Sequence, residues 1–222
     1  MKIQDIEVDG RLAWLVLPAE KPRGAVVVCH GGSGLEPHER RVLERLAARG
    51  HAAIAPDLFG ERPADRAAFV AMLRQLVGEP TRVRARVRAA IERVREHGPV
   101  AVVGHCFGGT AALEAARDGA DVACAVSLHG GLAAATRATR VTARVLACCG
   151  AADPHCPPEQ RAAFEQEMTA AGADWQLHVY GRVQHGFTVP GSERSPGCAY
   201  DAQADRRSWA ATTALLDEAL GG

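Results

Sequence analysis

Cys106 stands in Gly104-His105-Cys106-Phe107-Gly108, after the apolar run Pro99–Val103 and before the alanine-rich stretch Gly109–Arg117. Glycines two residues to either side suit a strand that turns sharply into a helix, where two backbones nearly touch. Such a turn lifts a nucleophile to the end of a sheet and places it at a helix N-terminus, whose partial positive charge favours thiolate. The competing reading is a small, inert, buried thiol. A base and an orienting acid at hand would decide between them. Asp153 follows the run Arg144–Cys149, in Gly150-Ala-Ala-Asp153-Pro154, and His185 follows Trp175–Tyr180, in a loop that continues Gly186-Phe187. Singly, Asp153 reads as a turn residue and His185 as a loop histidine. In the order nucleophile, acid, histidine, each just past a strand, they predict a triad: Cys106 attacks, His185 is the base, and Asp153 holds its tautomer.

An acyl-transfer site also needs donors for the developing oxyanion. The backbone N–H of Phe107 is one candidate. The loop His30-Gly31-Gly32-Ser33-Gly34 after Ala25–Cys29 offers Gly31 and Gly32, whose amides are free to turn toward a substrate oxygen. His129, before Gly130-Gly131 at a strand end, is a candidate to line the pocket, while His105 should point away from it. His38, His51, His97 and His178 fall on helix or strand faces and need no role. His155 and Cys156 resemble half of a metal site, but no second pair accompanies them, so neither metal nor cofactor is expected.

The elements that must position these residues alternate. Ile3–Val8 and Leu12–Leu17 form a hairpin pattern around Asp9-Gly10. Ala25–Cys29, Ala52–Ala55, Pro99–Val103, Val122–Leu128, Arg144–Cys149 and Trp175–Tyr180 read as further strands, several apolar throughout as strands buried on both faces are. Pro37–Arg49, Ala64–Val77, Thr81–His97, Gly109–Arg117, Pro158–Ala171 and Ala204–Leu220 read as helices. The order predicts an α/β fold: a mostly parallel central sheet, an N-terminal antiparallel strand pair, helices on both faces, and a single domain over residues 1–222. Arg82, Arg84, Arg86 and Arg88 read as a solvated helix face rather than a nucleic-acid site.

Charge points the same way. Lys+Arg and Asp+Glu are 26 each, so no global field draws nucleic acid or an anionic membrane. No apolar run approaches the ~20 residues that span a bilayer, and the N-terminus lacks a signal-peptide core. The expected location is cytoplasmic. The seven cysteines follow neither zinc nor disulfide-framework spacing and read as reduced thiols.

The chain resembles the dienelactone hydrolase family nearly end to end. The resemblance is carried by His30–Gly34 with Leu35-Glu-Pro-His38, by Ala55-Pro-Asp-Leu-Phe59-Gly60, by Gly104–Gly109, by Gly150–Pro154 and by His185-Gly-Phe187. It implies an α/β-hydrolase fold without a large lid. It also implies hydrolysis of a small lactone or carboxylic ester through Cys106, Asp153 and His185, with Arg62, His129 and Phe187 as candidate substrate contacts. The partner is then a small-molecule substrate, with no nucleic acid and no membrane, and the protein is a monomer or homodimer. Two departures stand out. The family's glutamate directly after the first-loop histidine is Gly31 here, and the arginine four residues past the catalytic histidine is Val189. Without that arginine, a neutral or more apolar ester fits better than a dienelactone carboxylate. A lyase, cyclase or acyltransferase on the same scaffold, or a thiol-based redox or binding protein, are the rival readings.

Overall fold

Eight strands form one sheet in the order β1-β2-β4-β3-β5-β6-β7-β8 in the computed structural model, which describes residues 2–60 and 65–221. Strands β1 (Gln4–Val8) and β2 (Arg11–Val16) make the expected hairpin, and β2 continues antiparallel to β4 (Ala52–Pro56). The remaining strands, β3 (Ala25–Cys29), β5 (Val100–His105), β6 (Cys124–Leu128), β7 (Arg144–Gly150) and β8 (Trp175–Tyr180), are parallel to their neighbours. Alternate residues of the central strands enter opposite cores. Val27, Cys29, Val100 and Val102 face one side, and Val26, Val28, Ala101 and Val103 the other. Helices α2 (Arg66–Gly78), α3 (Pro80–Val94), α4 (Phe107–Arg117) and α5 (Pro158–Ala170) cover the first face. Helices α1 (Pro37–Ala48) and α6 (Ala202–Leu220) cover the second. Burial on both faces is why these strands read as unbroken apolar runs.

The register sets the C-terminal strand ends side by side. Cys29 lies opposite Gly104, His105 opposite Leu128, Leu128 opposite Cys148, and Gly150 opposite Tyr180. The chain order reverses at β3, which lies between β4 and β5. Loops after β3 and β5 therefore diverge there and leave the crevice in which open α/β sheets bind ligands. Several element boundaries differ from the sequence pattern by a few residues, and two have plain local reasons. Helix α4 starts at Phe107, because Gly108 and Gly109 are needed inside its first turn for close packing. Helices α2 and α3 are separated only by Glu79, since Pro80 cannot continue a helix but can start one. The arginine face is also not simply solvated. Arg84 and Arg88 pair with Glu114 of α4 and with Asp118 just past its end, while Arg86 is buried and donates to Leu58 O. No helix among the described residues is long and apolar enough to cross a membrane.

Candidate active site

Cys106 occupies the turn between β5 and α4 with φ +53° and ψ −119°, a conformation L-residues rarely adopt. The flanking glycines are obligatory. A Cβ at Gly104 would stand 1.9 Å from Gly108 O, and one at Gly108 would stand 2.0 Å from Cys29 O. Strand β7 delivers Asp153, which is buried and accepts the His155 N–H on Oδ1 at 2.8 Å. His185 follows β8, and its backbone is clasped by the next loop: its N–H donates to Gly197 O at 3.2 Å, and its C=O accepts from Ala199 at 3.0 Å.

The three side chains line up. His185 Nδ1 is 2.8 Å from Asp153 Oδ2, and His185 Nε2 is 3.1 Å from Cys106 Sγ. Burial disfavours an imidazolium at His185, yet the hydrogen bonds and charges of Asp153 and Cys106 prevail and raise it to about 10. Burial likewise opposes a Cys106 thiolate. The hydrogen bond and charge of His185, with the backbone N–H groups of Phe107 and Gly32, outweigh it and bring the thiol below its ordinary value. Elsewhere burial prevails: Cys29 and Cys148 are pushed up to about 12. The arrangement can hold a thiolate–imidazolium pair with two amide donors on the sulfur.

The Phe107 and Gly32 amides are thus turned toward the Cys106 sulfur, whereas that of Gly31 is not. Its N–H lies 3.4 Å from Glu39 Oε1, drawn to a buried carboxylate that also accepts the Glu36 N–H at 3.0 Å. Sequence reasoning missed Glu39, although it falls three residues into the α1 pattern, where acidic side chains reach back to the helix start. It missed His30 as well, which is fully buried. His30 Nδ1 donates to Gly31 O at 2.7 Å and Nε2 accepts the Leu58 N–H at 2.8 Å, tying the loop after β3 to the loop after β4. His129 and Phe187 do not line the site. Both are 0 % exposed: His129 lies beneath Cys106, and Phe187 packs against His129 and Tyr180. Arg62 lies outside the described residues. His155 is exposed and meets the His185 ring edge-on at 5.0 Å, while Cys156 is buried 3.4 Å from the Cys149 sulfur. Among the described residues no His/Cys/Asp/Glu group is set to hold a metal.

Similarity to known proteins fixes the family. The model of the dienelactone hydrolase family matches residues 12–220. The chain belongs to the dienelactone hydrolase family. As a member it is an α/β protein that hydrolyses esters or lactones. The crystal structure of a dienelactone hydrolase-like promiscuous phosphotriesterase from metagenomic libraries superposes with a TM-score of 0.90 at 34% identity, covering 98% of each chain. A Salmonella typhimurium protein named "Putative carboxymethylenebutenolidase" is 28% identical over 182 residues, 74% of this chain and 67% of its own. An uncharacterised Caenorhabditis elegans protein is 34% identical over 126 residues, 53% of this chain and 78% of its own. Gly31 stands where the resemblance implies a glutamate, and the nearby carboxylate of Glu39 is taken up by the Gly31 and Glu36 amides.

Proposed function

We propose that the protein hydrolyses small neutral or apolar lactones and carboxylic esters through a covalent Cys106 acyl-enzyme. The unbroken Cys106–His185–Asp153 line, at 3.1 and 2.8 Å, carries this reading. Cys106 thiolate attacks the carbonyl carbon, and the Phe107 and Gly32 amides receive the oxyanion. Nε2 of His185 then gives its proton to the departing alkoxide. In the second half His185 takes a proton from water, hydroxide attacks the thioester, and the acid leaves as the thiolate returns. Asp153 keeps Nδ1 protonated throughout.

The test is a screen of lactones, aryl esters and aryl phosphotriesters against the wild type and Cys106→Ala, with trapped intermediates weighed by mass spectrometry. The phosphotriesters enter because a structural relative is described by that activity. The expected result is ester turnover, an acyl adduct on Cys106, and loss of all activity in the variant. Solvent oxygen from labelled water should enter the acid. Turnover without that oxygen would favour a lyase, cyclase or transferase, and an active Cys106→Ala enzyme would overturn the mechanism.

A further inference from the structure

Beneath Cys106 lies a buried histidine that the proposed cycle does not use. His129 follows β6 with φ +43°, and its backbone N–H donates to Cys148 O at 2.8 Å. The Cys106 N–H, shared with Leu128 O at 2.9 Å, donates to His129 Nδ1 at 3.1 Å. A ring nitrogen that accepts carries no proton, so the network places the imidazole hydrogen on Nε2. There Thr188 Oγ1, itself buried, receives it at 2.8 Å. The His129 ring meets the His185 ring at 5.2 Å and 70°. Burial, and after it the charges of His185, His105 and His38, hold His129 well below the ordinary histidine range. A second proton would have to sit on Nδ1, facing the Cys106 N–H, and would break that bond.

We propose that His129 is a positioning residue. Fixed by Thr188 as the Nε2–H tautomer, it accepts the Cys106 N–H, pins the left-handed turn, and sets an uncharged ring against His185. The Cys106 sulfur then stays in line with His185 Nε2. A residue at φ +53° needs such restraint from both sides. Its C=O is held by the Gly109 and Thr110 amides at 2.9 and 3.3 Å, and its N–H by Leu128 and His129. The inference rests on the triad reading above.

Steady-state kinetics on an aryl ester, with melting temperature and the rate of Cys106 alkylation at pH 7, test it. The variants are His129→Asn, His129→Gly, Thr188→Val and Cys106→Ala. Asn and Gly both tolerate left-handed backbone, but only Asn offers an oxygen near the place of Nδ1. His129→Gly should lower kcat about 10- to 100-fold, the range for a lost buried acceptor, with KM within about 3-fold. His129→Asn should recover kcat to within about 5-fold of wild type. Thr188→Val, which leaves the Nε2–H without its acceptor and frees the tautomer, should lower kcat roughly 3- to 10-fold with a modest fall in melting temperature, and alkylation should slow in parallel. Equal kcat for the Gly and Asn variants would overturn the proposal, as would a Gly variant within about 2-fold of wild type. If His129→Gly fails to fold, a Thr188→Val enzyme indistinguishable from wild type overturns it. An active Cys106→Ala enzyme would sink the triad reading itself. An inactive one beside a fully active His129→Gly sinks this inference alone.

Discussion

At 3.1 Å, His185 Nε2 and Cys106 Sγ share a proton whose position decides how the thiol reacts. The imidazole meets the sulfur directly, and the lowered thiol and raised imidazole both put the proton on nitrogen. Alkylation of Cys106 by iodoacetamide should therefore be fast already at pH 6 and change little up to pH 8. A thiol with pKa near ~8.5 would instead speed up by roughly two orders of magnitude over that span. Cys106→Ala supplies the background from half-exposed Cys198, and a rate that rises only around pH 8.5 would refute the ion pair. Asp153 acts one atom further back, as the acceptor that fixes Nδ1–H. Asp153→Asn keeps the shape but turns an amide donor or a weaker acceptor toward His185. Turnover should fall on the order of 100-fold or more, and the alkylation profile should move to higher pH. An unmoved profile would leave Asp153 a structural role only.

Elements carry these residues with uneven demands on the chain. The turn at Cys106 is legible in the sequence because its glycines are dictated by sterics: nothing larger than hydrogen fits at Gly104 or Gly108. The loop between β6 and β7 is not legible, although it carries His129. Its backbone is held by side chains from two helices. Arg117 of α4 donates to Leu132 O at 2.7 Å, Gln160 of α5 accepts the Leu132 N–H at 2.7 Å, and Glu167 accepts the Ala138 N–H at 3.0 Å. Arg117 and Glu167 also pair at 2.9 Å, and both are buried. Polar residues on helices read as solvent-facing, and only the neighbours Phe164 and Met168, on the same face of α5, hint that Glu167 points inward. Removing Glu167 leaves the buried Arg117 guanidinium its pairing with Glu114, at 3.1 Å. Glu167→Ala should cost about 1.5–3 kcal/mol in urea unfolding, and Glu167→Gln less, since Gln keeps one acceptor. A loss below about 1 kcal/mol in the Ala variant would show that the loop holds itself.

Across the whole molecule, the parallel order of strands and the reversal at β3 bring residues 29–32, 104–107, 150–153 and 185 to one edge of the sheet. That much follows from alternation of apolar runs and helices. Which side chains face substrate does not: His129 and Phe187 sit at strand and loop ends as pocket residues do, but register turns both inward. Gathering a thiol and an imidazole at this edge also ties global stability to pH. His185, raised from 6.5 to about 10, stabilises the fold fully below pH 6.5, and this is lost as pH rises through about 10. Cys106, lowered from 9.0, contributes fully above pH 9, and this is lost as pH falls through its folded value. In the thiolate–imidazolium state the folded pair holds one proton, as the unfolded pair does between pH 6.5 and 9, so its contribution is level there. Below that window the unfolded chain binds a proton the folded pair refuses. Above it the unfolded chain sheds one the folded pair keeps. Each flank slopes by at most about 1.4 kcal/mol per pH unit. In Cys106→Ala, His185 keeps only Asp153, so its pKa should fall between 6.5 and 10 and no thiol titrates. Urea midpoints of wild type minus variant at pH 5, 8 and 10.5 cancel every other group, and this difference should be largest at pH 8. A difference that is flat, or that grows toward either extreme, would mean the two groups do not share a proton in the folded protein.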